Sequence, residues 1–144
     1  MINSGGVAWR RPLSLGENVM LSMIFIGAAL QAASPPARPP GTTRTDLQRH
    51  DLSVKGWESL QALVTFAPHA SFPRHKHPGE EIIYVTQGTI EYEVEGKVVV
   101  VKAGEVLFIP NSVVHAARNP GAEPAAELAT YVVRKGRPLV ELTK

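Results

Sequence analysis

The stretch that decides the fold is HKHPGEEIIYVTQG, residues 75–88. His75 and His77 stand one residue apart, and Glu81 follows after three more residues. From Glu81 onward the stretch is rich in β-branched and aromatic residues and stops at a Gln-Gly pair, which predicts a strand and a turn. A further histidine, His115, follows a second turn near Pro110. Three imidazoles and a carboxylate fit the ligand set of a mononuclear divalent metal site.

The chain on both sides of this stretch alternates short β-like segments with turn residues. Trp57–Phe66 alternates apolar with polar side chains, which predicts a half-buried strand. Glu95-Gly96 predicts a two-residue hairpin connection. The run of valines within residues 97–102 predicts a strand buried on both faces. Further strands are predicted over residues 81–86, 89–94, 105–109, 113–118 and 127–133, with a possible edge over 138–142. No long helical period occurs after residue 33, so we expect an all-β sandwich or barrel.

Strand geometry brings the candidate ligands together. Successive side chains alternate faces, so the odd-numbered His75, His77 and Glu81 point the same way along a continuous strand, with a bend at Pro78-Gly79. His115 lies on a separate strand and can complete the set from across a barrel. The other histidines, His50 and His69, lack such partners in the sequence, and we interpret them as surface residues.

These residues resemble the two motifs of the cupin superfamily. The first motif is similar to His75-x-His77-x-x-x-Glu81-x₆-Gly88, and the second to Gly104-x₅-Pro110 followed by His115 and Asn119. The resemblance covers roughly residues 57–133 and implies a single jelly-roll β-barrel. It also implies one divalent transition metal (Fe, Mn, Ni, Zn or Cu) bound by His75, His77, Glu81 and His115.

Two positions depart from the family pattern, because His69 and Ser112 stand where glycines are expected. Those glycines serve backbone turns, so the departures concern loop geometry. Gly88 and Gly104 are interpreted as turn residues, and Asn119 as a hydrogen-bonding residue at a turn or strand end.

Three functions are compatible with such a site. The first is a metal-dependent enzyme, a quercetinase-like oxygenase or an isomerase, in which Glu81 is the catalytic base for a small oxygen-rich substrate. The second is a non-catalytic barrel that binds or senses a small ligand; it is favoured by the lack of a second acid/base set in the sequence. The third is a structural or metal-storage role. Aromatic residues that could line the pocket or fill the core are Phe72, Tyr84, Tyr92, Phe108 and Tyr131.

The first 33 residues predict a signal peptide. Two arginines at positions 10 and 11 precede the apolar stretch VMLSMIFIGAAL (19–30), which is too short to span a bilayer, and small residues follow it. Arg10-Arg11 also fits a twin-arginine signal loosely, and an uncleaved anchor is the alternative. Residues 34–45, with four prolines in the first seven, predict a linker, and 46–144 the barrel domain. Export would make the protein periplasmic or secreted, without stable membrane association after cleavage.

Composition limits the partners of the exported domain. Of 15 basic and 13 acidic residues, two and one respectively lie in the predicted signal, so the remainder is nearly neutral and shows no basic patch for nucleic acid. The absence of cysteine excludes disulfides and thiol ligands. We expect a small-molecule substrate or ligand, and a homodimer formed through the β-rich segment 42–52.

Overall fold

The computed structural model describes residues 39–144, and the predicted signal peptide with most of the predicted linker lies outside them. The described residues form ten strands and no helix, so no helix within residues 39–144 is long and apolar enough to span a membrane. The strands are β1 (Thr42–Asp51), β2 (Trp57–Phe66), β3 (Ser71–Lys76), β4 (Gly79–Gln87), β5 (Thr89–Val94), β6 (Lys97–Lys102), β7 (Val106–Ile109), β8 (His115–Arg118), β9 (Ala125–Arg134) and β10 (Glu141–Leu142).

The strands form two five-stranded antiparallel sheets whose inner faces enclose one core. The first sheet has the order β1-β2-β9-β4-β7 and the second the order β10-β3-β8-β5-β6. Strands next to each other in a sheet are mostly distant in sequence, as with β2 and β9, which pair from Trp57↔Arg134 to Phe66↔Ala125. The predicted all-β jelly-roll barrel is confirmed.

The core follows from the period-two alternation of the strands. In β2 the even-numbered side chains are buried and the odd-numbered ones are half-buried, as the sequence predicted. The largest fully buried side chains come from both sheets: Tyr92, Phe66, Leu60, Ile83, Ile90, Ile109 and Val85. Burying apolar side chains of this size stabilises the fold by about 1.5–3 kcal/mol each.

The prediction that β6 is buried on both faces is wrong. Val98, Val99 and Val100 are 68%, 36% and 51% exposed, and only Val101 is in the core. The reason is topological: β6 is the last strand of the second sheet and pairs only with β5. A run of valines satisfies strand propensity equally well at an edge and in a sheet centre.

Three turns within residues 39–144 place a non-glycine residue in the left-handed backbone region. Glu95 and Gly96, with φ of 49° and 79°, form the predicted β5–β6 connection, whose twist matches the flanking strands. His69 and Ser112, the two departures from the family glycines, also have positive φ, at 60° and 62°. Non-glycine residues are strained in this conformation, because Cβ approaches the following carbonyl oxygen.

The N-terminal strand β1 begins at Thr42, within the range predicted as linker. β1 pairs with β2 from Thr42↔Phe66 to Asp51↔Glu58, with a bulge between Asp46 and Gln48. The β-rich segment is therefore the edge strand of the first sheet of its own chain.

Candidate metal centre

Two candidate ligands come from neighbouring strands of the second sheet. His75 on β3 lies directly opposite His115 on β8 in the antiparallel register. Side chains directly opposite on paired strands share a face and lie close together. Their ring centroids are 4.2 Å apart, and both residues are buried.

The other two candidate ligands, His77 and Glu81, connect the site to the first sheet. His77 lies between the end of β3 and the start of β4, where the chain crosses from the second sheet to the first. Glu81 on β4 lies opposite Ile109 of β7 and Tyr131 of β9 and points into the barrel. The bend predicted at Pro78-Gly79 is thus a change of sheet, with His77 at the crossing and Glu81 on the first sheet.

The functional atoms of these residues converge. The ligand atoms of His75, His77 and His115 all lie within 4.8 Å of one another. One carboxylate oxygen of Glu81, Oε2, is 3.2 Å from Nε2 of His77 and 3.1 Å from Nε2 of His115. All four side chains are nearly sealed from solvent, at 2–7% exposure.

Each imidazole is oriented by its other nitrogen. Nδ1 of His75 lies 2.8 Å from the Pro73 carbonyl oxygen, Nδ1 of His77 2.6 Å from that of Leu139, and Nδ1 of His115 3.1 Å from that of Val113. A carbonyl oxygen only accepts, so each Nδ1 must donate its hydrogen. In a neutral ring this leaves Nε2 with a lone pair directed into the cluster, which is how proteins fix metal-binding histidines.

The residues fit a metal ion. Within residues 39–144, Nε2 of His77 and Oε2 of Glu81 are fully buried yet lack a hydrogen bond of acceptable geometry, although they lie close together. Buried polar atoms are rarely left in this state, because desolvation costs about 1–3 kcal/mol for each. A divalent cation among three imidazoles and a carboxylate would satisfy these atoms, and the three-histidine group can hold one.

The electrostatics of the cluster favour the unprotonated form that a metal ligand needs at His75 and Glu81, but not at His77. Burial, then the charges of His115 and His77, lower the pKa of His75 to about 3, so His75 is neutral. Burial would raise the pKa of Glu81, but contacts with His115 and His77 outweigh it and hold that pKa well below its usual range. Burial likewise opposes protonation of His77, yet the Glu81 carboxylate raises the pKa of His77. The Glu81 carboxylate thus favours a proton on His77, and a metal ion would have to displace that proton.

A second buried acid lies on the inner wall and was missed in the sequence. Glu127 on β9 is 5% exposed and accepts a hydrogen bond from the Tyr92 phenol of β5. Burial, then the charge of Glu81, raises the pKa of Glu127 to about 8, so the group is protonated at neutral pH. Glu127 could not be singled out in advance, because its parity with Tyr131 on a predicted strand indicates a shared face but not burial.

The aromatic candidates divide between the two faces of the barrel. Tyr131 packs against the His77 ring at 4.9 Å and Phe72 against the His75 ring at 4.7 Å, so both border the centre. Tyr92 is in the core. Tyr84 and Phe108 are 44% and 56% exposed on the outer face, which makes them neither core nor pocket. Tyr84 has the opposite parity to the buried Glu81 on β4, so its outward position follows from strand alternation.

The remaining sequence candidates have structural roles. His50 and His69 are exposed and lie apart from the cluster, as predicted. Asn119 is 2% exposed and donates from Nδ2 to the carbonyl oxygens of Phe66, Ala67 and Glu123, while Oδ1 accepts from the Gly121 amide. It therefore ties the loop after β8 to the end of β2.

The sequence pattern of the cupin domain matches residues 62–134, half of the chain, from within β2 to the end of β9. The matched region contains all four clustered residues. The chain therefore belongs to the cupin family.

Individual relatives are more distant. The chain is 31% identical over 75 residues to the polyketide synthase CurC of Streptomyces cyaneus, covering 51% of this chain and 49% of that protein. It is 37% identical over 76 residues to germin-like protein 1-1 of Oryza sativa subsp. japonica, covering 49% of this chain and 35% of that protein. The match thus spans half or less of these curated relatives. The solved structure of a recombinant oxalate oxidase in complex with glycolate has a TM-score of 0.57 and 26% identity, covering 72% of this chain and 56% of that one.

Proposed function

We propose that this cupin is a metal-dependent enzyme of the oxygenase type, acting on a small substrate that carries adjacent oxygen atoms. The observation that carries the proposal is the convergence of three imidazoles and one carboxylate oxygen in a buried cluster. A purely structural cluster would not need three imidazoles all oriented through Nδ1.

His75, His77 and His115 would hold the metal through Nε2, with Glu81 as the fourth ligand. When bound, a divalent transition metal supplies a Lewis acid and a template on which two substrate oxygens are aligned. The sealed surroundings exclude water, and the rings of Phe72 and Tyr131 pack against two of the imidazoles to limit their movement.

Glu81 and Glu127 provide two carboxyl groups in opposite protonation states. The Glu81 carboxylate is ionised at neutral pH, and it would take the proton of a substrate hydroxyl after leaving the ligand set. The Glu127 carboxyl keeps its proton at neutral pH and can donate it. Paired carboxyl groups whose pKa values are driven apart are the usual arrangement of an acid and a base. This second acid weighs against a barrel that only binds a ligand.

The relatives support a substrate rich in oxygen. CurC is an enzyme of polyketide synthesis, and the oxalate oxidase acts on a dicarboxylate. Polyketides and oxalate both present oxygen atoms spaced for chelation of one metal ion. Catechols, flavonols and small dicarboxylates share this property and form the first substrate panel.

Metal analysis combined with oxygen uptake tests the proposal. The wild type should hold about one equivalent of metal, His77→Ala should lose it, and His50→Ala, which removes an exposed histidine outside the cluster, should retain it. Glu81→Gln should keep metal on the three histidines but lose oxygen uptake with the substrate panel. Metal that persists in His77→Ala would refute the site. Metal bound normally, with no oxygen uptake by the wild type, would refute the oxygenase and leave a ligand-binding barrel.

A further inference from the structure

The outer face of the first sheet carries little charge. Residues that pair across neighbouring strands lie side by side on one face of the sheet. Two central rows of the outer face are uncharged: Leu128, Tyr84 and Val106 form one row, and Thr130, Ile82 and Phe108 form the next. Along the four adjacent strands β2, β9, β4 and β7, the charged residues on this face are Glu80 and Arg134 alone, and both lie at the same end of the sheet.

The second sheet shows the opposite pattern on its outer face. Three ion pairs lie there, and they join Arg74 to Glu93, Lys76 to Glu141 and Arg118 to Glu91. On β3 and β5 these charged residues alternate with the buried His75 and Tyr92, so they face outward. Charged side chains are what a solvated sheet face normally carries. The outer face of the first sheet thus differs from a solvated face of the same molecule.

Four large side chains lie together on the outer face of β4 and β7. Ile82 pairs with Phe108 and Tyr84 pairs with Val106, so the four form one contiguous group, which we call the apolar block. Val106 and Phe108 are 69% and 56% exposed, and Ile82 and Tyr84 are 44% exposed each. Single exposed apolar residues are ordinary, but a contiguous apolar patch usually marks an interaction surface.

We propose that the outer face of the first sheet is the interface of a homodimer, in which a second copy of the chain packs sheet against sheet and covers the apolar block. Four strands about 4.8 Å apart, each with about eight residues that rise about 3.3 Å, give a flat footprint of roughly 500 Å². The relief of the side chains makes the accessible area larger than this footprint. The face is therefore close in size to a stable interface, which buries about 600–1,000 Å² on each partner.

A second copy fits this face better than a membrane does. In a two-fold dimer the same patch meets itself, so a charged face would bring like charges together, whereas an uncharged face does not. The charged residues that flank the apolar block along β4 and β7, Glu80 and Glu105, are acidic, which opposes binding to an anionic lipid surface. This dimer differs from the one expected through segment 42–52, because that segment is β1, at the opposite edge of the sheet from β7.

Sedimentation velocity of the full-length chain tests the interface with two matched variants. Val106→Glu places a charge on the apolar block, and Val98→Glu places the same charge on β6 of the other sheet. The two valines are 69% and 68% exposed, so both substitutions change a similarly exposed position. At about 10 µM we expect wild type and Val98→Glu to sediment as dimers, and Val106→Glu to dimerise at least about a hundredfold more weakly, because its carboxylate would be buried without a partner.

A second variant separates loss of the interface from misfolding. Phe108→Lys places the opposite charge on the apolar block and should weaken dimerisation as Val106→Glu does, while circular dichroism shows that each variant keeps the β fold. A wild type that is still monomeric at about 100 µM would overturn the proposal. So would a dimer that persists in both folded variants, or one that Val98→Glu weakens equally. A monomeric wild type that binds anionic vesicles would assign the face to lipid instead.

Discussion

Replacing Glu127 by glutamine should change how the stability of this protein depends on pH. The Glu127 carboxyl is buried against the Tyr92 phenol, and burial first, the charge of Glu81 second, raises its pKa from an ordinary 4.5 to about 8. The unfolded chain exposes the same carboxyl to water. Between these two pKa values, the folded protein therefore retains a proton that the unfolded chain has released.

The sign and size of the effect follow from this difference. Because the folded state binds more protons, the contribution of Glu127 to stability is fully present below about pH 4.5 and is lost as the pH rises through 8. One proton changes the free energy of unfolding by about 1.4 kcal/mol per pH unit. Between pH 5 and pH 8 the loss is roughly 4 kcal/mol, a large part of the 5–15 kcal/mol typical of a domain. Glutamine has the shape of the protonated acid and does not titrate, so the free energy of unfolding of Glu127→Gln should not fall in this way between pH 5 and pH 8.

The assay is urea unfolding of metal-free protein at several pH values from 5 to 9, for the wild type and the variant. All other titratable groups are common to both proteins, so the difference between their free energies of unfolding reports the contribution of Glu127. We expect the free energy of unfolding of Glu127→Gln to be close to that of wild type at pH 5 and to exceed it increasingly up to pH 8. Glu123→Gln, which changes an exposed carboxyl in the loop before β9, is the matched control and should show no such trend.

A difference that stays constant between pH 5 and pH 8 would show that Glu127 titrates alike in the folded and unfolded states. The assignment of Glu127 as a protonated acid beside Glu81 would then be wrong. If Glu127→Gln instead became less stable than wild type as the pH rises, the folded state would stabilise the ionised form of Glu127.

Three further predictions concern the centre and its backbone. Since the carboxylate of Glu81 raises the pKa of His77 above its usual 6.5, and a metal needs the unprotonated Nε2, metal binding at pH 6 should release about one proton. Calorimetry in two buffers of different ionisation enthalpy measures this, and an identical heat in both would contradict it. Gly79→Ala should destabilise the fold by about 3 kcal/mol, because the added Cβ would lie 2.1 Å from the Val132 carbonyl oxygen. Urea unfolding measures this loss, and a variant as stable as wild type would mean that the start of β4 does not lie so close to β9. Ser112→Gly should stabilise the protein by about 0.5–1 kcal/mol, since relief of the strain at φ 62° exceeds the entropy that glycine adds to the unfolded chain. A lower melting temperature for this variant would show that Ser112 is not strained.

The strand pattern and the ligand set could be predicted from the sequence because both depend on local rules. Alternation of apolar and polar residues fixed the inner face of β2, and Glu95-Gly96 fixed the β5–β6 turn, because few residues adopt its left-handed backbone. The odd spacing of His75, His77 and Glu81 placed three polar groups on the inner side of the strands.

Only the tertiary structure decided which strands became edges and which side chains met across the barrel. The valines of β6 are exposed because that strand has one neighbour, a property of the pairing order and not of its own residues. Glu127 lies more than forty residues after Glu81 in the sequence, and its burial near the centre depends on β9 pairing with β4 in the first sheet. Long-range pairing sets the burial, and burial sets the pKa of Glu127. The sequence by itself determined the spacing of three histidines and a glutamate, whereas the fold brought these residues together and buried Glu127 near them.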